Sequence, residues 1–122
     1  MSDLADANLV LAALDETDAL HERAIQHIRS REPLIVPFSV GIELMLIARR
    51  RNPEYVEALG GISALFVIER EAVLFAAADA LDRGDASTVF DAVHAADAAN
   101  RGVTLHTADQ KLLRSGFPTT PF

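Results

Sequence analysis

The sequence predicts an α/β fold, a single domain over residues 1–122 whose parallel sheet is covered by helices on both faces. Two observations carry this. Strand-like segments alternate with helical ones along the whole chain, and those segments are continuous apolar runs instead of apolar–polar alternations, the pattern of strands buried on both sides. A third supports a single core: 122 residues, half of them apolar, suffice for one domain and contain no linker, repeat or low-complexity tract.

Leu4-Ala5 begins the chain as a short strand, and residues 7–14 (ANLVLAAL) have the composition and period of a helix. A second helix is expected over 18–30, with Asp18 as its N-cap. Residues 33–36 (PLIV) form a buried strand that Pro37 breaks, and Ser39 can cap a helix running to about Arg50. Asn52-Pro53 restarts the chain, and a helix over 53–64 is interrupted by Gly60-Gly61. Branched and aromatic content marks 65–68 (LFVI) as the next strand. Helices over 71–81 and 88–100 follow, separated at Gly84, and Gly102 ends the second. Residues 103–106 make a further strand, 109–113 a helical turn and 117–119 a weak last strand.

Composition narrows the chemistry. There is no cysteine, which excludes disulfides, thiolate zinc sites and cysteine nucleophiles; carboxylates and four histidines remain as metal ligands, so any metal is expected to be hard and oxygen-bound. No apolar run approaches the roughly 18 residues of a membrane span, and Met1 opens directly onto Ser2-Asp3, so a cytoplasmic protein with no membrane partner is expected. The 18 acidic and 11 basic residues give a formal charge of −7, a poor footprint for tight, general nucleic-acid binding. Arg49-Arg50-Arg51 is the one local basic patch. It is either a phosphate-contacting cluster for RNA or a solvated helix end whose cations suit the C-terminal dipole.

In open parallel sheets the ligand site lies beyond the carboxyl ends of the strands. Asp6 ends the first strand, where it is either a helix cap or a ligand, and Asn8 is either a hydrogen-bonding support for it or a polar residue of the helix's first turn. Glu43 is the only charge between Val40 and Ala48 in a helix apolar nearly all round, so it is expected to be buried and to need a cation, a metal or a raised pKa, the cation being Arg50 or an arginine elsewhere in the fold. Asp91 stands at the border of an alanine-rich stripe near a helix start, where a ligand and an acid favoured by the helix dipole are both open; His94 lies one turn on, as a partner, a ligand or an exposed residue. Asp97 faces elsewhere, a surface charge at the outer rim. Asp109 follows the strand 103–106, a cap or a ligand, and Thr107 is either its hydroxyl support or a plain strand-end residue. Convergence of these acids on one sheet edge would suit Mg²⁺ or Mn²⁺, which take oxygen ligands and promote phosphodiester hydrolysis without a protein nucleophile.

At these residues the chain resembles the PIN-domain family, and in particular the VapC-like toxins of VapBC toxin–antitoxin pairs. The start, Leu4-Ala5-Asp6-Ala7-Asn8-Leu9-Val10-Leu11, is similar to the family's opening, and residues 15–25 with His21-Glu22-Arg23-Ala24 to the segment after it. Pro37-Phe38-Ser39-Val40 through Glu43-Leu44, then Phe90-Asp91-Ala92-Val93-His94-Ala95-Ala96, then Leu105-His106-Thr107-Ala108-Asp109, resemble the later motifs in order and spacing. The resemblance implies a five-stranded parallel sheet in the order 3-2-1-4-5, with Asp6 and Asp109 on neighbouring strands. It implies an Mg²⁺- or Mn²⁺-dependent endoribonuclease whose catalytic and metal-binding residues are Asp6, Glu43, Asp91 and Asp109, supported by Asn8, Thr107 and Ser39. It also implies an RNA substrate, homodimerisation and a cognate antitoxin that covers the site. Two departures stand out: Ala7 replaces the usual hydroxyl residue after the first Asp, and the first strand is short and polar at Ser2-Asp3. The other readings are a PIN nuclease of RNA processing or turnover, a PIN-like module that binds without cleaving, and a phosphatase using Asp6 as nucleophile. The last would want a second aspartate two residues on, where Asn8 stands.

Overall fold

The computed structural model describes residues 3–51 and 54–122. Eleven elements follow one another in these residues: α1 (Ala7–Leu14), α2 (His21–Arg29), β1 (Ile35–Val36), α3 (Phe38–Arg50), α4 (Tyr55–Ser63), β2 (Val67–Ile68), α5 (Glu71–Arg83), α6 (Val89–Arg101), β3 (Leu105–His106), α7 (Gln110–Leu113) and β4 (Thr119–Thr120). The expected α/β alternation is present and the pairings are all parallel, but the strands are short and helices dominate. β1 pairs with β2 through Ile35–Val67 and Val36–Ile68, and Leu4 adds an isolated parallel bridge to Ile35. β3 pairs separately with β4 through Leu105–Thr119 and His106–Thr120. Among the described residues the hydrogen-bonded pairing therefore makes two two-stranded ribbons, with Leu4 beside β1, and not one sheet of five strands. Part of the expected order is kept: β2, β1 and Leu4 lie side by side.

Local chemistry fixes the element ends. Asp6 caps α1, its Oδ1 accepting from Leu9 N at 2.9 Å, and Thr88 caps α6 by accepting from Asp91 N at 3.1 Å. Gly84 and Gly102 close α5 and α6 in the left-handed conformation, φ 79° and 70°, which costs glycine nothing. Three expectations shift. Asp18 does not cap α2: its carboxylate accepts from Leu20 N in a turn, and the helix starts at His21. Ser39 lies inside α3, exposed; the helix starts a residue earlier, after Pro37, and its first amide, Phe38 N, donates to Glu69 Oε1 at 3.0 Å. Gly60-Gly61 does not interrupt α4, which spans both and is started from afar by Asp82, whose two carboxylate oxygens accept from Tyr55 N and Val56 N at 2.8 and 3.0 Å. The restart expected at Asn52-Pro53 lies outside the described residues.

The core gathers one face of each helix. Val10, Val36, Met45, Leu59, Val73, Leu74, Val89 and Leu112 are all essentially inaccessible. Each such side chain contributes about 1.5–3 kcal/mol on burial. α5 and α6 pack against each other, and both bury alanines, Ala77, Ala78 and Ala80 on the first and Ala92, Ala95 and Ala96 on the second. Gly41 lies where α3 passes α5, with Leu74 against it. Among the described residues no polar or charged side chain is fully buried.

Candidate functional site

Parallel pairing gives the first ribbon one carboxyl edge. Asp6 leaves it after Leu4-Ala5, Pro37-Phe38 after β1 and Glu69-Arg70 after β2. The second ribbon carries Thr107 and Asp109 beyond the carboxyl end of β3. Asp6 and Asp109 each spend one oxygen on a helix start, Asp109 Oδ1 accepting from Leu112 N at 2.9 Å, and each retains a second. Both residues are caps, and each cap leaves one carboxylate oxygen unused. Asp6 is exposed and Asp109 half-buried.

Glu43 overturns the expectation of burial. α3 turns Gly41, Leu44 and Met45 inward and leaves Glu43 on its exposed side, and no salt bridge joins it to Arg50 among the described residues. The apolar residues around it in sequence, Ile42, Leu46 and Ile47, are only partly covered, so an apolar run misled as to how much of the helix circumference is buried. Asp91 is the third residue of α6 and half-buried, held by its own amide on the Thr88 hydroxyl. His94 is exposed, its ring 6.3 Å from that of Phe90, and is not hydrogen-bonded to Asp91. Asn8 is exposed and makes no hydrogen bond to Asp6; it lines a groove of about 270 Å³ between α1 and α2 with Leu9, Arg23 and His27. Thr107 does support Asp109, through the backbone: its Oγ1 accepts from Asp109 N at 3.0 Å. Arg49, Arg50 and Arg51 form an exposed basic helix end, as both readings of that patch require.

Ion pairs are few among the described residues, and most carboxylates, the four motif acids included, stand outside them. Asp79 and Asp85 bind Arg83, and Asp97 binds Arg70 and Arg101, whereas Asp6, Glu43, Asp91 and Asp109 have no arginine or lysine partner among the described residues. Unneutralised carboxylates of this kind match the donor chemistry of a hard divalent cation. Their geometry is looser: among the described residues no group of three or more aspartate, glutamate or histidine side chains is arranged to hold one ion. Mg²⁺ is often held by one or two carboxylates with water and substrate oxygens, so a shared shell of three is not required.

No motif or periodicity marks the Glu69-Arg70 turn in advance. Arg70 is the one described non-glycine residue with positive φ, 55°, a conformation costing an L-residue about 1 kcal/mol. Its guanidinium lies 4.7 Å from the centre of the Phe38 ring and donates to Asp97 Oδ1, which also accepts from Arg101 Nε at 2.9 Å. Asp97 is accordingly no free surface charge: the Arg70 and Arg101 hydrogen bonds hold its carboxyl below the usual aspartate range. The partners are 27 residues apart, beyond any sequence motif.

A family model described as PIN domain matches residues 4–118, nearly the whole chain, a span that includes Asp6, Glu43, Asp91 and Asp109. Among curated proteins, none matches the sequence.

Proposed function

The chain belongs to the PIN-domain family, and from that we propose that it is a nuclease, specifically an Mg²⁺- or Mn²⁺-dependent endoribonuclease that serves as the toxin of a VapBC-type pair. One observation carries the reading: within the matched span, Asp6 and Asp109 stand beyond the carboxyl ends of parallel-paired segments, and each spends only one carboxylate oxygen on a helix cap, leaving the other for a ligand. Asp6, Glu43, Asp91 and Asp109 would hold the metal. A bound divalent ion there supplies a polarised phosphate and a more acidic water. Asp6 and Asp109 each offer the oxygen not used in capping, and the caps restrict how those carboxylates can turn. Thr107 fixes the backbone under Asp109. Arg49, Arg50 and Arg51 provide phosphate contacts for RNA on a chain that is otherwise acidic. A sheet continued through Leu4 to β3, in the order 3-2-1-4-5, would set Asp6 beside Asp109. A homodimer, an antitoxin covering the acids and a cytoplasmic location complete the proposal.

A second reading, a PIN-like module that binds without cleaving, is favoured by the absence, among the described residues, of three acids arranged around one ion. Cleavage of structured RNA by the pure protein with Mg²⁺ or Mn²⁺, beside Asp6→Asn and Asp91→Asn, decides between them. Metal-dependent cleavage that falls at least about a hundredfold in both variants is expected. If all three proteins behave alike, the assigned site is wrong.

A further inference from the structure

The turn after β2 grips the helices that carry Glu43 and Asp91. Phe38 opens α3 five residues before Glu43, and it is held twice by adjacent residues: its amide by Glu69 Oε1 at 3.0 Å, its ring by the Arg70 guanidinium at 4.7 Å. The same guanidinium donates to Asp97, six residues beyond Asp91 on α6. A single side chain thus contacts both helices, and it is partly shielded, with 32% of Arg70 and 25% of Asp97 exposed. Backbone requirements do not account for an arginine here. A left-handed residue is provided more cheaply by glycine or asparagine, so a strained arginine points to work done by its side chain.

We infer that Arg70 is a positioning residue, which fixes α3 against α6 by stacking on Phe38 and binding Asp97, and so sets the relative position of Glu43 and Asp91 for divalent-cation binding. This rests on the metal-dependent reading above. A binding constellation must be held to within about half an ångström, and supporting contacts of this kind set metal affinity without touching the metal. The planar guanidinium suits the task because it can stack on a ring with its face while its edge donates to a carboxylate.

The full-length protein titrated with Mn²⁺, followed by electron paramagnetic resonance, tests the inference alongside melting temperature. Arg70→Gly keeps the left-handed turn without strain and deletes the guanidinium; Mn²⁺ binding is expected to weaken about tenfold with the fold intact. Asp97→Asn should weaken it in the same direction, and Arg70→Lys should recover part of the loss. Arg101→Ala leaves the stacking and the Arg70–Asp97 bond in place and should stay within about twofold of the parent. Parental Mn²⁺ affinity in folded Arg70→Gly or Asp97→Asn, or an equal loss in Arg101→Ala, overturns the positioning role while leaving the nuclease reading intact. A parent protein that takes up no Mn²⁺ overturns both.

Discussion

Gly41 offers the sharpest test of the packing that sets α3, the helix bearing Glu43. A Cβ at this position would lie 2.5 Å from Leu74 Cδ1, against an ordinary contact of about 3.5–4 Å. Gly41→Ala therefore has two opposed effects. Replacing a mid-helix glycine favours the helix by about 1 kcal/mol. Inserting a methyl group into filled space costs about 1–3 kcal/mol. Leu74 decides the sign: it is fully buried on α5, beside Val73, Ala77 and Ala78, and has no solvent to swing into. We expect net destabilisation of about 1–2 kcal/mol, measured by chemical denaturation, and a fall in Tm of about 3–8 °C. A double-mutant cycle isolates the contact. Leu74→Ala alone should cost about 2–5 kcal/mol, and with Gly41→Ala the combined loss should be smaller than the sum by at least about 1 kcal/mol, because the new methyl occupies the vacated space. A Gly41→Ala protein more stable than its parent, or strict additivity in the cycle, would refute the close approach of α3 and α5.

Three further outcomes are expected. Asp6→Asn preserves the cap of α1 and should leave stability within about 0.5 kcal/mol while abolishing cleavage, whereas Asp6→Ala should cost about 1 kcal/mol as well; equal destabilisation by both in a denaturant titration would contradict the dual role. Asp97, with its folded pKa below the ordinary 3.8, contributes stability that is complete above that value and is lost as pH falls through it towards the folded pKa. Asp97→Asn should therefore cost about 1 kcal/mol near neutrality and progressively less below pH 4, and a difference unchanged down to pH 2 in denaturation curves would contradict the pairing. Leu112 is 1% exposed in the one-turn helix α7, and Leu112→Ala should cost about 2–5 kcal/mol; a loss under 1 kcal/mol would show that α7 does not anchor the segment bearing Asp109.

The helices were legible because their signals are local. Asp6 before an apolar period, Thr88 before another, and Gly84 and Gly102 after their last turns mark boundaries that the structure keeps to within a residue or two. The strands were legible as apolar runs, but their lengths were not, because pairing depends on partners distant in sequence: of LFVI only Val67 and Ile68 pair, and of PLIV only Ile35 and Val36. Burial was misjudged where hydrophobicity stood in for exposure. Glu43 sits among apolar residues and faces out, since α3 buries one side only. Glu69, Asp82 and the Arg70–Asp97 pair escaped notice for a common reason. Each joins parts of the chain 26–31 residues apart, and no spacing rule spans that distance.

The distant cap of α4 bears on the order in which the chain assembles. Tyr55 and Val56 have their amides satisfied by Asp82, near the far end of α5, so α4 gains its starting bonds only once a segment 26–27 residues downstream has come to rest. With two glycines in its nine residues, α4 has little reason to persist before then. It should condense together with α5, and protection of those two amides from solvent exchange should rise and fall with that of the α5 backbone.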